Sequence, residues 1–273
     1  MLLENWLDPV SQTLARGAGA HGPLMLMYHA VTPGAGTPPW TWAVSAGRLE
    51  AQLDYLVSEG WSAATMSSLL DPGQLPAKTV VLTFDDGYAD NLVAVDMLAR
   101  RGMRATWFMV SGSVGQPPRW PADGRPEGRL LSARELRDMC AAGMEIGSHT
   151  RSHCQLTETA PESWADELRG ARDDLEALLG APVSSFAYPY GKFNDATVEA
   201  VRAAGYRAAC TTRSGWALRD HDPLRMRRVS VFNQDTLATF ARKLAFADND
   251  VSWPRLGAYA LDRVKARMGI AAA

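Results

Sequence analysis

Two neighbouring carboxylates, Asp85 and Asp86, stand where an apolar run stops. Thr79-Val80-Val81-Leu82-Thr83-Phe84 reads as a buried strand, and Gly87-Tyr88 as the turn that follows it. Adjacent side chains on a strand point to opposite faces, so one of the pair would turn away unless the backbone bends. Gly87 permits a sharp turn after which both side chains can face one cavity. Carboxylates held that close repel each other unless a cation or a shared proton relieves them. Further along, His149-Thr150-Arg151-Ser152-His153 supplies two imidazoles at i and i+4. If the segment winds as a helical turn, both rings share one side and can hold one cation. Two surface histidines near a helix start would have the same spacing. Joined to Asp86, His149 and His153 make a set of one carboxylate and two imidazoles with positions open for water or substrate. Such a set suits zinc and does not exclude iron, cobalt or nickel.

The segments that must position these groups alternate between strand-like and helix-like. Strands are expected at Pro23–Val31, Thr79–Phe84, Arg104–Val110, Met144–Ser148, Ser184–Tyr188, Tyr206–Thr212 and Arg228–Phe232. Helices are expected at Ser45–Gly60, from about Ala89 to Arg101, at Ser132–Ala142, over Pro161–Leu179, and from Asn194 or Asp195 to Ala204. Ser132 with Glu135 has the form of a capping box. Gly112–Leu130, rich in Gly and Pro, reads as a long loop. Alternation of this kind indicates βαβ units and a parallel sheet. About seven strands without a Gly-x-Gly-x-x-Gly loop favour a barrel over a dinucleotide-binding fold.

The expectation is one α/β domain, with a capping helix in residues 1–22, a barrel over 23–233 and a helical extension over 234–273. Leu3, Trp6, Leu7, Val10 and Leu14 recur at helical spacing in the first of these. In parallel barrels the carboxyl ends of the strands form the active-site face. Tyr28-His29, Asp85-Asp86, His149 and Tyr188-Pro189-Tyr190 all fall at such ends. Met25 and Met27, alternating in the first strand, read as core.

Hydrophobic residues make up 47% and charged residues 21% of the 273, ordinary values for a globular chain. A net charge of −2 argues against a broad cationic surface for nucleic acid or anionic lipid. No apolar run is long enough for a membrane span. The N-terminus lacks the basic start and apolar core of a signal peptide, and Cys140, Cys154 and Cys210 form no CxxC pair. Together these features suggest a cytoplasmic location.

Thr83-Phe84-Asp85-Asp86-Gly87, His149-Thr150-Arg151-Ser152-His153 and Ala187-Tyr188-Pro189-Tyr190-Gly191, in that order, resemble the first three motifs of the polysaccharide deacetylase family (NodB homology, carbohydrate esterase family 4). The resemblance spans roughly Leu24 to Val231. It implies a distorted, incomplete (β/α)7-type barrel with a divalent metal, commonly zinc. It also implies Asp85 as general base and Asp86, His149 and His153 as metal ligands. The Tyr190 N–H would complete an oxyanion hole, and the substrate would be an N-acetylated glycan or glycolipid.

Two departures matter. No late Leu-x-x-His motif supplies a general acid. Tyr28-His29-Ala30-Val31 resembles the start of the poly-N-acetylglucosamine deacetylase branch, where an early histidine takes that place, so His29 is the expected acid, with His221 as the other candidate. The arginine that precedes Pro-Tyr in many members, and pairs there with the catalytic aspartate, is replaced by Phe186-Ala187-Tyr188; Arg228 could substitute. Tyr188, Pro189, Arg228 and Trp120 are expected to contact substrate, with Trp40 and Trp42 also on the rim of the cleft. The competing readings are an amidohydrolase of the same fold acting on a non-sugar amide or cyclic ureide, and a catalytically silent glycan-binding protein.

Overall fold

The computed structural model describes residues 6–258 except 17, 20, 122, 123 and 126. Leu3 and the part of the helical extension beyond residue 258 lie outside the described residues. The chain enters through α1 (Pro9–Ala15), whose first turn is closed by Asp8 accepting the Ser11 N–H at 2.8 Å. In β1 (Leu24–Tyr28) every residue is buried. Leu24, Leu26 and Tyr28 join the main apolar cluster, whereas Met25 joins a second one with Val81, Phe108 and Ala208 from other strands. This is the period of two of a strand covered on both faces.

The run 23–31 reads as one strand, but the structure divides it at His29. β2 (Ala30–Thr32) leaves the main sheet and pairs in parallel with β3 (Ala43–Ser45). α2 (Ala46–Ser58) is capped by the Ser45 hydroxyl. β4 (Ser62–Ala64) is too short and too poor in large apolar residues to read as a strand. β5 (Thr79–Phe84) has the bounds its apolar run predicts. A 3-10 turn, Ala89–Asn91, then leads into α3 (Leu92–Ala99), and β6 (Thr106–Met109) follows. α4 (Ala133–Ala141) opens with the capping box of Ser132 and Glu135.

After β7 (Glu145–Ser148), the segment expected as one long helix is broken. A 3-10 turn at Pro161–Ser163 and a π-helical segment at Asp166–Gly170 precede α5 (Ala171–Leu179). β8 (Ser185–Ala187), α6 (Asp195–Ala203, capped by Asn194 with Thr197), β9 (Ala208–Cys210), β10 (Val229–Ser230) and α7 (Leu237–Phe246) complete the order.

The main sheet is parallel throughout, in the order β10-β1-β5-β6-β7-β8-β9, with β4 added beside the early half of β5. It curls until the stretch before β10 bridges its two ends: Thr211 donates its N–H to Met226 O and Arg228 to Arg213 O. The result is the incomplete barrel expected of a single α/β domain, with the strands' carboxyl ends gathered at one mouth. Among the described residues no helix is long and apolar enough to cross a membrane.

Asp90 ties the 3-10 turn to the short second sheet, its Oδ1 accepting the Val31 N–H at 3.3 Å. Burial pushes the Asp90 carboxyl up to about 7, a rise that this hydrogen bond offsets only in part. A carboxyl raised on folding binds a proton that the unfolded chain has released, so its contribution to stability falls as pH climbs from about 4 to about 7. Asp90→Asn keeps the acceptor and removes the charge. Urea unfolding should show parent and variant alike below about pH 4, with the variant ahead by roughly 1–3 kcal/mol above about pH 7.

Candidate active site

The double-aspartate turn is held partly by the sheet and partly by a local bend. Asp85 still donates its N–H to Tyr28 O at 2.9 Å, as the next ladder position of β5 would. The chain then reverses through Asp86 and Gly87, both left-handed at φ 70° and 82°. A Cβ at Gly87 would also push aside the end of the Met109 side chain, but it is the positive φ that calls for glycine there. Because Asp86 itself is left-handed, both carboxylates reach one cavity. That conformation costs a non-glycine residue roughly 1–2 kcal/mol. It is held by Gly87 N–H to Asp85 O at 2.8 Å and by the Tyr88 hydroxyl, which donates to Asp86 Oδ2 at 2.8 Å.

The segment 149–153 is not the helical turn its spacing suggests. Thr150 and His153 are left-handed, at φ 63° and 64°, and the five residues lie outside any helix or strand. Three sets of hydrogen bonds fix the turn. The His149 N–H donates to Met109 O, while Ser111 and Gly112 donate theirs to Thr150 O and Arg151 O. Glu167 Oε2, from the π-helical segment, accepts the N–H groups of Arg151 and Ser152 at 3.1 and 3.0 Å. Glu167 was not legible in the sequence as part of the site, because only the wider π turn aims it at this loop.

His149 and His153 bring their Nε2 atoms to 3.4 and 3.2 Å from Asp86 Oδ1. Since Ala187 O can only accept, His149 Nδ1 at 2.8 Å carries a proton, so in the neutral ring the lone pair sits on Nε2. Asp86 Oδ1 is buried and has no hydrogen-bond partner among the described residues. Burial alone would raise the Asp86 carboxyl, but His153 and His149, when protonated, outweigh it and hold the group well below the ordinary range. An ionised oxygen with no donor, facing two imidazole nitrogens, is a donor set that fits a divalent cation.

Asp85 has a different counter-charge. Arg228, wholly buried, grips it with Nη1 on Oδ1 at 2.6 Å and Nη2 on Oδ2 at 2.8 Å. Burial acts to raise the Asp85 carboxyl, and Arg228 followed by His149 lowers it below its usual value. The guanidinium absent from the Pro-Tyr motif is thus restored from the start of β10. Arg228, grouped above with substrate contacts, lies behind Asp85 and does not line the cavity.

The cavity at the barrel mouth has a volume of about 420 Å³. Its wall includes His29, Trp40, Trp42, Trp120, Tyr188 and Tyr190 together with Asp85, Asp86 and the two histidine ligand candidates. Met27, which reads as core, also lines it. The His29 ring lies 5.0 Å from that of Trp42 and 6.0 Å from that of Trp40. Its Nδ1 is buried with no partner among the described residues, and burial lowers its pKa against the pull of Asp86 and Asp85. His221 is exposed and off the cavity wall.

Tyr190 is left-handed at φ 58°, and its hydroxyl stands 3.2 Å from His153 Nδ1, so its side chain as well as its backbone meets the site. Tyr188 directs its hydroxyl away, to Leu224 O at 3.2 Å, and Pro189 is buried beside it. Trp120 is no open platform. Its ring lies against His153 at 4.4 Å and 17°, with the Arg125 guanidinium 5.7 Å from its centroid.

A parallel half-barrel whose strand ends bring a held carboxylate and a set of groups that could hold a cation to one cavity has the layout of a hydrolytic enzyme. The family model described as polysaccharide deacetylase matches residues 73–209, and the chain belongs to that family. It is a carbohydrate N-deacetylase by class. YxkH of Bacillus subtilis is 29% identical over 212 residues, covering 76% of this chain and 70% of its own. A poly-β-1,6-N-acetyl-D-glucosamine N-deacetylase of Staphylococcus aureus is 24% identical over 61% of this chain, which spans only 60% of that protein. Among solved structures, IcaB from Ammonifex degensii superposes with a TM-score of 0.68 at 28% identity, covering 83% of this chain and 97% of that one. BC0361, a polysaccharide deacetylase from Bacillus cereus, gives 0.69 at 27%, covering 81% and 68%.

Removing one partner of a buried ion pair leaves the other charge without compensation. Arg228→Met should therefore destabilise the fold by about 3–5 kcal/mol at neutral pH. Adding Asp85→Leu should recover most of that loss in urea melts, and a double variant as unstable as the single one would contradict the pairing.

Proposed function

We propose that this chain hydrolyses the N-acetyl groups of hexosamine units in a glycan or glycolipid, using a divalent metal, zinc first, held by Asp86, His149 and His153. The observation that carries the reading is the buried Asp86 Oδ1, without a hydrogen bond among the described residues, facing two imidazole Nε2 atoms. The named substrate of the staphylococcal relative, a poly-N-acetylglucosamine, supports a hexosamine polymer as the class.

Amide hydrolysis needs an activated water, charge relief on the carbonyl oxygen and a proton for the departing amine. A divalent metal, when bound, lowers the pKa of water and polarises the carbonyl. Asp85, whose two oxygens Arg228 orients, accepts the proton of the attacking water. Its lowered pKa keeps it ionised and ready as a base at neutral pH. The N–H of Tyr190, in the turn that follows β8 at the cavity wall, is the donor for the developing oxyanion. One such donor contributes on the order of 3 kcal/mol.

His29, on the same cavity wall, delivers the proton to the amine. Burial favours its neutral form, while the two aspartates favour the charged one, so its proton is held weakly enough to be given up. The aromatic walls of Trp40 and Trp42 suit the apolar face of a sugar ring.

The test is acetate release from N-acetylglucosamine oligosaccharides, with allantoin as a non-sugar control. Asp85→Asn should abolish turnover yet retain the metal, measured by elemental analysis. Asp86→Ala, His149→Ala and His153→Ala should each lose the metal itself. His29→Ala should lower kcat by about 10²–10⁴. Undiminished kcat in that variant would remove His29 from the mechanism, and ring opening of allantoin without acetate release would overturn the substrate class.

A further inference from the structure

Asp86 has two oxygens, and the structure treats them differently. Oδ2 accepts the Tyr88 hydroxyl at 2.8 Å, whereas Oδ1, 3.2 and 3.4 Å from the two Nε2 atoms, has no hydrogen bond among the described residues. A carboxylate can only accept, so the phenol is the donor. Tyr88 is buried, and its ring meets that of Trp40 edge-on at 5.8 Å and 82°, which fixes the hydroxyl in place.

The long loop over 112–130 reaches the same centre at two points. Near its end, Leu130 forms an antiparallel bridge with Tyr88, and Ala89 donates its N–H to Arg129 O at 3.0 Å. In its middle, Trp120 lies nearly parallel to the His153 ring at 4.4 Å. Arg125 braces Trp120 by donating from Nη1 to the Trp120 carbonyl at 2.8 Å and by placing its guanidinium toward the indole. The His153 ring is oriented at its edge by the Tyr190 hydroxyl, 3.2 Å from Nδ1, and on its face by the contact with Trp120.

We propose that Tyr88 and Trp120 are positioning residues of the metal centre: Tyr88 holds the Asp86 carboxylate so that Oδ1 alone is offered, and Trp120 holds the plane of the His153 ring. Trp120 and the Arg129–Leu130 stretch are then a clasp on two of the three ligands, and the indole face expected to stack on substrate is occupied by a ligand instead. This rests on the metal reading above. Partners that orient ligands are typically worth about 10–100-fold in metal affinity.

The experiment titrates the metal-free full chain with Zn²⁺ against a chromophoric chelator. Tyr88→Phe deletes one oxygen and should weaken Kd by about 10–100-fold while leaving one metal per chain at saturation. The metal-free protein should melt only a few degrees lower, as the loss of one buried hydrogen bond predicts, and the visible spectrum of the Co²⁺ form should shift as the carboxylate is freed. Trp120→Leu should weaken Kd comparably, and Trp120→Phe, which keeps an aromatic face, should recover most of it. Affinities of Tyr88→Phe and Trp120→Leu within about threefold of the parent would overturn the clasp while leaving the metal site standing. A parent chain that takes up no metal would overturn both.

Discussion

Two carboxylates buried side by side cannot both stay ionised unless each has its own counter-charge. In this chain the requirement is met asymmetrically. Asp85 is neutralised by Arg228 through two short hydrogen bonds, while Asp86 faces two imidazoles and has one oxygen left over. The asymmetry separates the chemistry of chemically identical neighbours. The carboxylate with a permanent organic counter-ion is suited to exchange protons, and the one facing two imidazoles, with no permanent counter-ion of its own, is suited to bind a cation.

Keeping the pair in one cavity demands unusual backbone. Asp86, Thr150, His153 and Tyr190 are all non-glycine residues at positive φ, and all four line or flank the cavity. Strain of this kind persists only where the surroundings over-determine it. Here they do so with acceptors and donors supplied mostly by other segments. Glu167 caps the histidine loop, Ala187 O fixes the His149 tautomer, and the Tyr88 and Tyr190 hydroxyls meet Asp86 and His153. The π-helical segment that carries Glu167 interrupts what would otherwise be a regular helix.

Much of the architecture was legible because strong periodic signals coincided with buried elements. β5 is an unbroken apolar run of six residues, and α4 announces its start with Ser132 and Glu135. The failures have equally local causes. β3 and β4 are three residues long and rich in Ala and Ser, so pairing rather than propensity makes them strands. His29 ends β1 because the chain must leave the sheet there to pair with β3, a tertiary demand with no short-range signature. The spacing of His149 and His153 suggested a helix, whereas hydrogen bonds from β6 and Glu167 impose an irregular turn that brings the same two rings together.

The sequence by itself determined the alternation of elements, the place of the carboxylates and imidazoles at strand ends, and the family. Those properties follow from side-chain type and order along the chain, which periodicity and motif spacing expose directly. Only the tertiary structure decided which groups meet. Arg228 reaches Asp85 because β10 lies beside β1, which in turn lies beside β5, although 143 positions separate the two residues. Trp120 turns from an expected sugar platform into a partner of His153 for the same reason. Contacts of that range depend on how a curled sheet closes and where a long loop returns, and no local pattern encodes either.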